Sequence, residues 1–145
     1  DEPGFLIGPD AEKAGTILHG TEAVLATTES TVPWTTVMIR KSFGVAAAAH
    51  YGPDAYVLAW PSAESGPLPL EGGVAVAFKK EISEAEDPEA KRKELEEKMA
   101  KNQSPFPRAE AFSVHEIIDP RETRKYISLW AERIQSQLKA SLMSR

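Results

Sequence analysis

Between Asp10 and Thr28 the apolar and small residues fall at Ala14, Ile17, Leu18, Thr21, Val24, Leu25 and Thr28, the spacing of one helical face. Gly15 and Gly20 interrupt that face. A glycine inside a helix costs about 1 kcal/mol against Ala, so close packing is the reason expected for them. Val32-Pro33-Trp34 breaks the period, and Thr35 to Ile39 is β-branched and apolar, as a buried strand is. Gly44 supplies a turn, Val45 to His50 starts a helix, and Gly52-Pro53 ends it. A second buried strand is predicted over Ala55 to Trp60. The stretch PSAESGPLPLEGG reads as loop, and Gly73 to Ile82 as another helix.

Ser83 to Gln103 is dense in Glu and Lys and poor in large apolar residues, which predicts a solvated helix with i,i+4 pairs such as Glu94–Lys98. SPFPRAEAF reads as irregular and VHEIID as a short strand. DPRETR then starts a helix. Asp119 can cap it, Pro120 fits its first position, and Glu122 sits where a capping box wants its acid. Ile127, Trp130, Ala131, Ile134, Leu138 and Ser141 share the face on which this closing helix is expected to pack. Helices alternating with buried strands predict an α/β layered fold.

Composition narrows the function. The 145 residues suffice for one domain, with 41% hydrophobic and 27% charged, in the range of globular proteins. A net charge of −5 argues against a nucleic-acid partner, and no apolar run approaches the ~20 residues of a membrane helix. Without Cys there is no disulfide, thiolate metal site or cysteine nucleophile. The opening DEPGFLIGPD carries neither a signal peptide nor an initiator Met, so the sequence reads as a piece of a longer chain.

Side-chain chemistry is sparse. His19, His50 and His115 have no i,i+4 pair, so no metal site is expected. Ser42, Ser62 and Ser65 lack a nucleophile elbow, and the glycines form no phosphate loop. Glu64 and Glu71 could act as acid and base, but loop carboxylates are more often only solvated. What remains is backbone. A strand ending in TVMIRKS, then Phe43-Gly44, then Val-Ala-Ala-Ala-Ala directs unpaired N–H groups out of a helix's first turn. Such amides suit an oxyanion hole, although a tight strand-to-helix junction packed with Ala gives the same sequence.

Four stretches, DEPGFLIG, ATTESTVPWTTVMIRKSFGVA, LAWPSAESGPLPLEGG and EIIDPRETR, follow in order from residue 1 to residue 124. Together they resemble the carboxyltransferase (β-type) subunits of biotin-dependent acyl-CoA carboxylases. The resemblance implies an α/β fold of the crotonase-like type, a β-β-α superhelix, of which residues 1–145 are the latter part of the C-terminal carboxyltransferase domain. It also implies transfer of a carboxyl group from carboxybiotin to the α-carbon of a CoA thioester, with the biotin ureido group as base. The protein's share is then a pair of oxyanion holes. The one for the ureido oxygen falls on the backbone N–H groups of Val45 and Ala46, just after Gly44.

By the same resemblance Phe43 borders the substrate and Ala48 tunes acyl-chain length, while Arg40 and Lys41 meet CoA phosphates or a partner subunit. Many relatives have Gly-Gly-Ala where this chain has Gly44-Val45-Ala46, and Val45 narrows the approach. Implied partners are the missing N-terminal carboxyltransferase domain, a biotin carboxylase, a biotin carrier subunit and further copies in a homo-oligomer, without nucleic acid or membrane. A cytoplasmic location is expected, or the mitochondrial matrix in a eukaryote, and the piece alone is expected to be inactive. Two alternatives remain: a biotin-dependent decarboxylase of malonyl-type CoA, and a non-catalytic scaffold domain.

Overall fold

The computed structural model describes residues 1–143; the side chains of Glu71 and of residues 140–143 also lie outside the description. Helices α1 (Pro9–Lys13) and α2 (Thr16–Thr28) open the chain. Strands β1 (Thr35–Met38) and β2 (Lys41–Phe43) lead into α3 (Gly44–Ala48). The order then repeats as β3 (Tyr56–Ala59), β4 (Glu64–Gly66) and α4 (Leu70–Ala77). Helices α5 (Lys79–Ser83), α6 (Pro88–Gln103) and α7 (Pro105–Glu110) precede β5 (Glu116–Ile117). A 3-10 turn at Pro120–Glu122 feeds α8 (Thr123–Met143).

Each β-β-α unit adds a strand to two separate sheets. β1, β3 and β5 form one parallel sheet in that order, with Val37 opposite Leu58 and Leu58 opposite Glu116. β2 and β4 form the other, Ser42 opposite Ser65, and Glu2 extends it by one parallel bridge to Ser42. Parallel neighbours cannot be joined by a hairpin, so β2 and α3 together form the crossover from β1 to β3. This is the β-β-α winding that the resemblance implies.

The core is built on the three-stranded sheet: Met38, Val57, Ala59, Ala63 and Val114 form one buried cluster, flanked by Tyr51, Ala55 and Ile117. Leu58 is fully buried beside it, and burial of such a side chain contributes about 1.5–3 kcal/mol. Both strands predicted from apolar runs, β1 and β3, supply this core.

Several expectations are corrected. The first helix is broken at Gly15, whose φ is +74°, so α1 and α2 are separate. α2 also packs by another face. At Gly20 an added Cβ would lie 2.3 Å from the Phe5 ring, and buried Thr27 donates its hydroxyl to the Ala49 carbonyl. Small residues allow the close approach, which leaves Ile17, Leu18 and Leu25 exposed. The stretch read as loop contains β4 and the start of α4, and Phe78, at φ −117° and ψ 23°, divides the following helix into α4 and α5.

In α6 the pairs are Arg92–Glu96 and Lys91 with Glu81 and Glu94, in place of Glu94–Lys98. Asp87 caps that helix through the N–H groups of Glu89 and Ala90. SPFPRAEAF is not irregular throughout, because Pro105 at a first-turn position opens α7. Asp119 caps the 3-10 turn as expected, accepting from the Arg121 N–H at 2.9 Å. Glu122 makes no capping box; it pairs instead with Lys125 at 2.9 Å. On α8, Trp130, Ala131 and Ile134 are half-buried, whereas Ile127 and Leu138 are exposed. The Ser141 side chain lies outside the described residues.

Candidate functional site

β2 runs into α3 with no loop between them. Phe43 is extended, at φ −124° and ψ 143°, and its ring is buried at 1% exposure. Gly44 then takes φ +63°, which turns the strand into the helix. A side chain in that left-handed region costs roughly 1–2 kcal/mol, and a Cβ here would meet the Pro67 carbonyl oxygen at 3.4 Å. The glycine is therefore what permits so abrupt a junction.

α3 sets Ala46 and Ala47 against the core and turns Val45 and Ala48 outward, with Val45 at 63% exposure. The first N–H groups of a helix have no intrahelical acceptor. Among the described residues nothing accepts from the Val45 or Ala46 amide. Five residues build little macrodipole, so any attraction for negative charge comes from these local N–H bonds.

Beside α3 lies an open cavity of about 430 Å³. Gly44, Ala47 and Ala48 form one side of it, and Ser65, Gly66 and Arg108 belong to the same wall-work. Ser42 also borders the cavity, its hydroxyl 3.0 Å from the Tyr51 hydroxyl. Of the predicted site residues, Gly44 and Ala48 therefore share this space. Phe43 underpins it from the core, and Val45 and Ala46 lie on the adjoining turn.

Arg40 and Lys41 stand at the other end of β2. Arg40 donates to the Asp1 carboxylate at 2.8 and 3.0 Å. Lys41 reaches Glu64 at 2.7 Å and lies 5.8 Å from the centre of the Phe43 ring. Glu64 is thus engaged by a cation, and the Glu71 side chain with which it was paired in sequence lies outside the described residues.

The histidines are dispersed. His19 contacts Glu22 at 3.2 Å, His50 approaches Glu2 at 3.6 Å, and His115 accepts the Val57 N–H through Nδ1. Among the described residues no group of three or more His, Asp or Glu could hold a metal ion. Away from α3, burial and the adjacent Glu116 carboxylate push the Tyr56 phenol up to about 12. Sequence reasoning missed Ser65, Tyr51 and Arg108 as cavity residues. β4 is too short to show a period, and Arg108 stands in the stretch read as irregular.

A family model described as the carboxyl transferase domain matches residues 1–143. The methylmalonyl-CoA carboxyltransferase 12S subunit of Propionibacterium freudenreichii subsp. shermanii is 42% identical across 88% of this chain and 25% of its own length. The methylmalonyl-CoA decarboxylase subunit alpha of Propionigenium modestum is 38% identical over the same shares. A transcarboxylase 12S crystal structure with methylmalonyl-CoA and methylmalonic acid bound superposes with a TM-score of 0.84 at 40% identity, over 94% of this chain and 27% of that one. The chain thus spans about a quarter of the length of the relatives it matches.

Proposed function

The chain belongs to the carboxyl transferase domain family, and from that premise we propose that it is the latter part of a C-terminal carboxyltransferase domain. In this reading the whole protein moves a carboxyl group from carboxybiotin to the α-carbon of an acyl-CoA. The observation that carries the proposal is the pair of first-turn amides at Val45 and Ala46, without acceptors among the described residues, beside a cavity that Gly44, Ala47 and Ala48 line on one side.

These residues fit a biotin head group. Gly44 and Ala47 offer no bulk against a flat bicyclic ring, and two N–H donors side by side suit one urea oxygen. Carboxybiotin supplies the carboxyl group and, once that has left, a basic ureido nitrogen. The chain's own part is electrostatic. Val45 and Ala46 donate to the oxygen where negative charge gathers, and because they are fixed by the turn they need no reorganisation as it does.

Phe43 holds the junction rigid, and Ala48 borders the acyl chain. Arg40 and Lys41 serve CoA phosphates or a neighbouring subunit, exchanging their present carboxylate partners for those anions. The partners in this reading are the preceding carboxyltransferase domain, a biotin carboxylase and carrier subunit, and further copies of the chain. The location is the cytoplasm, or the mitochondrial matrix in a eukaryote.

The test uses the full natural chain that carries these residues. Biotin-dependent carboxyl transfer to or from methylmalonyl-CoA is expected, and Val45→Gly, which keeps the amide and removes its side chain, should retain at least the parent rate. No turnover with any CoA ester, in a chain that still assembles, would leave only a scaffold role. A second reading, physiological decarboxylation, is favoured by the similarity to a methylmalonyl-CoA decarboxylase subunit. The two directions share the same amides and separate by which one the complete complex sustains.

A further inference from the structure

Arg108 brings a cation to the cavity without an anion among the described residues to match it. Its main chain is pinned. The Arg108 carbonyl accepts from the Ser113 N–H at 2.9 Å, the Val114 N–H at 3.3 Å and the Ser113 hydroxyl at 3.0 Å. The guanidinium, by contrast, forms no hydrogen bond or ion pair with any described residue, and its Nε is closed to solvent without a partner. The terminal nitrogens, equally unpartnered, are the part still open to an incoming group.

Ser65 offers a second unmatched group in the same cavity. It is 4% exposed, and its hydroxyl has no partner. The serine opposite it in the ladder, Ser42, has already engaged Tyr51, so nothing across the sheet answers Ser65. A buried donor left unpaired costs free energy, and an unpaired cation costs more. Two such groups on one cavity point to a ligand that completes them. Ala48 lines that cavity whereas Val45 and Ala46 do not, so Arg108 and Ser65 share a space with Ala48 and not with the two amides.

We propose that Arg108 and Ser65 receive a carboxylate at the far end of the acyl chain, so that the thioester used by this protein is a dicarboxylic acyl-CoA. This rests on the reading that Ala48 borders the acyl chain. Arg108 meets the carboxylate with its terminal N–H groups in the side-on geometry that guanidinium and carboxylate favour, and Ser65 donates a further hydrogen bond after a small rotation. The small residue at 48 leaves room for the longer chain.

The experiment compares glutaryl-CoA with valeryl-CoA, equal in carbon number but lacking the distal charge. The full natural chain is used with Arg108→Ala, Arg108→Lys and Ser65→Ala variants, and both calorimetric binding and kcat/KM are read. Wild type should prefer glutaryl-CoA. Arg108→Ala should weaken its binding about ten- to a hundredfold and leave valeryl-CoA unchanged, with Arg108→Lys in between. A wild-type preference for valeryl-CoA would overturn the proposal. So would an equal loss for both esters in Arg108→Ala, because the arginine would then serve the carboxyl group in transit or the fold. Tight glutaryl-CoA binding with no biotin-dependent transfer would leave this assignment standing and overturn the carboxyltransferase reading instead.

Discussion

Gly44 is where one residue's conformation decides the site. With φ at +63° and Pro67 close by, it lets β2 end and α3 begin within a single peptide. Gly44→Ala is predicted to lower stability by about 1–2 kcal/mol, the cost of a side chain in the left-handed region. It should also reduce turnover by more than that loss explains, because the turn carrying the Val45 and Ala46 amides would be re-aimed. Urea unfolding beside steady-state kinetics checks both, and an unchanged midpoint would show the junction to be unstrained. The importance of Gly44 was visible in the sequence because a glycine between a strand and an alanine run has few other uses. Arg108 was not visible. The role proposed for it depends on having no partner among the described residues, and no spacing in a sequence reports the absence of a contact.

Elements were legible where their patterning had room to show. β3 is a nearly continuous apolar run and lies in the core, whereas β1 is β-branched and buries only Met38 fully. β2 and β4, reading Lys-Ser-Phe and Glu-Ser-Gly, are too short and mixed for any period, yet their pairing carries the site. α2 failed in a different way: its apolar spacing was correctly seen, but Gly20 and Thr27 make the contacts within this chain.

The packing of α8 also rests on particular atoms. Tyr56 of β3 donates to Glu116 of β5, and Glu116 raises the pKa of Tyr126 on α8 as well, chiefly through its charge. For Tyr56, burial and that carboxylate raise the phenol from 10.0 to about 12. A folded-state pKa above the unfolded one gives stability that is complete below pH 10 and lost as pH rises through 12. Ultraviolet titration should therefore find one tyrosine ionising near 12, and Glu116→Gln should lower it without restoring the ordinary value, because burial remains. A wild-type protein whose tyrosines all ionise at the ordinary value would contradict this contact.

At the scale of the molecule, the winding decides which parts of the chain come together. Each β-β-α unit places a strand in both sheets; in the first, β2 passes into α3 at Gly44 without a loop, whereas in the second Pro67 to Pro69 separate β4 from α4. Exposed Ile17, Leu18 and Leu25 on α2 form an apolar surface on a chain that spans a quarter of its relatives' length. None of the described helices is long and apolar enough to cross a membrane. The family and the winding were legible in the sequence through ordered motifs, but the cavity beside α3 required the fold. Its walls come from β1, β2, α3, β4, α7 and the α7–β5 connection, which the two parallel sheets bring together.

The claim that backbone amides do the chemistry is tested most directly by removing one of them. In the full natural chain, free-biotin-dependent decarboxylation of methylmalonyl-CoA would be followed for the wild type and for Ala46→Pro. Proline is tolerated in a helix's first turn, and here it takes away an N–H that no acceptor among the described residues uses. With the fold verified by circular dichroism, the rate should fall about a hundred- to a thousandfold, as loss of one oxyanion donor does. A folded variant that keeps the parent rate would contradict the account and move the oxyanion hole away from α3.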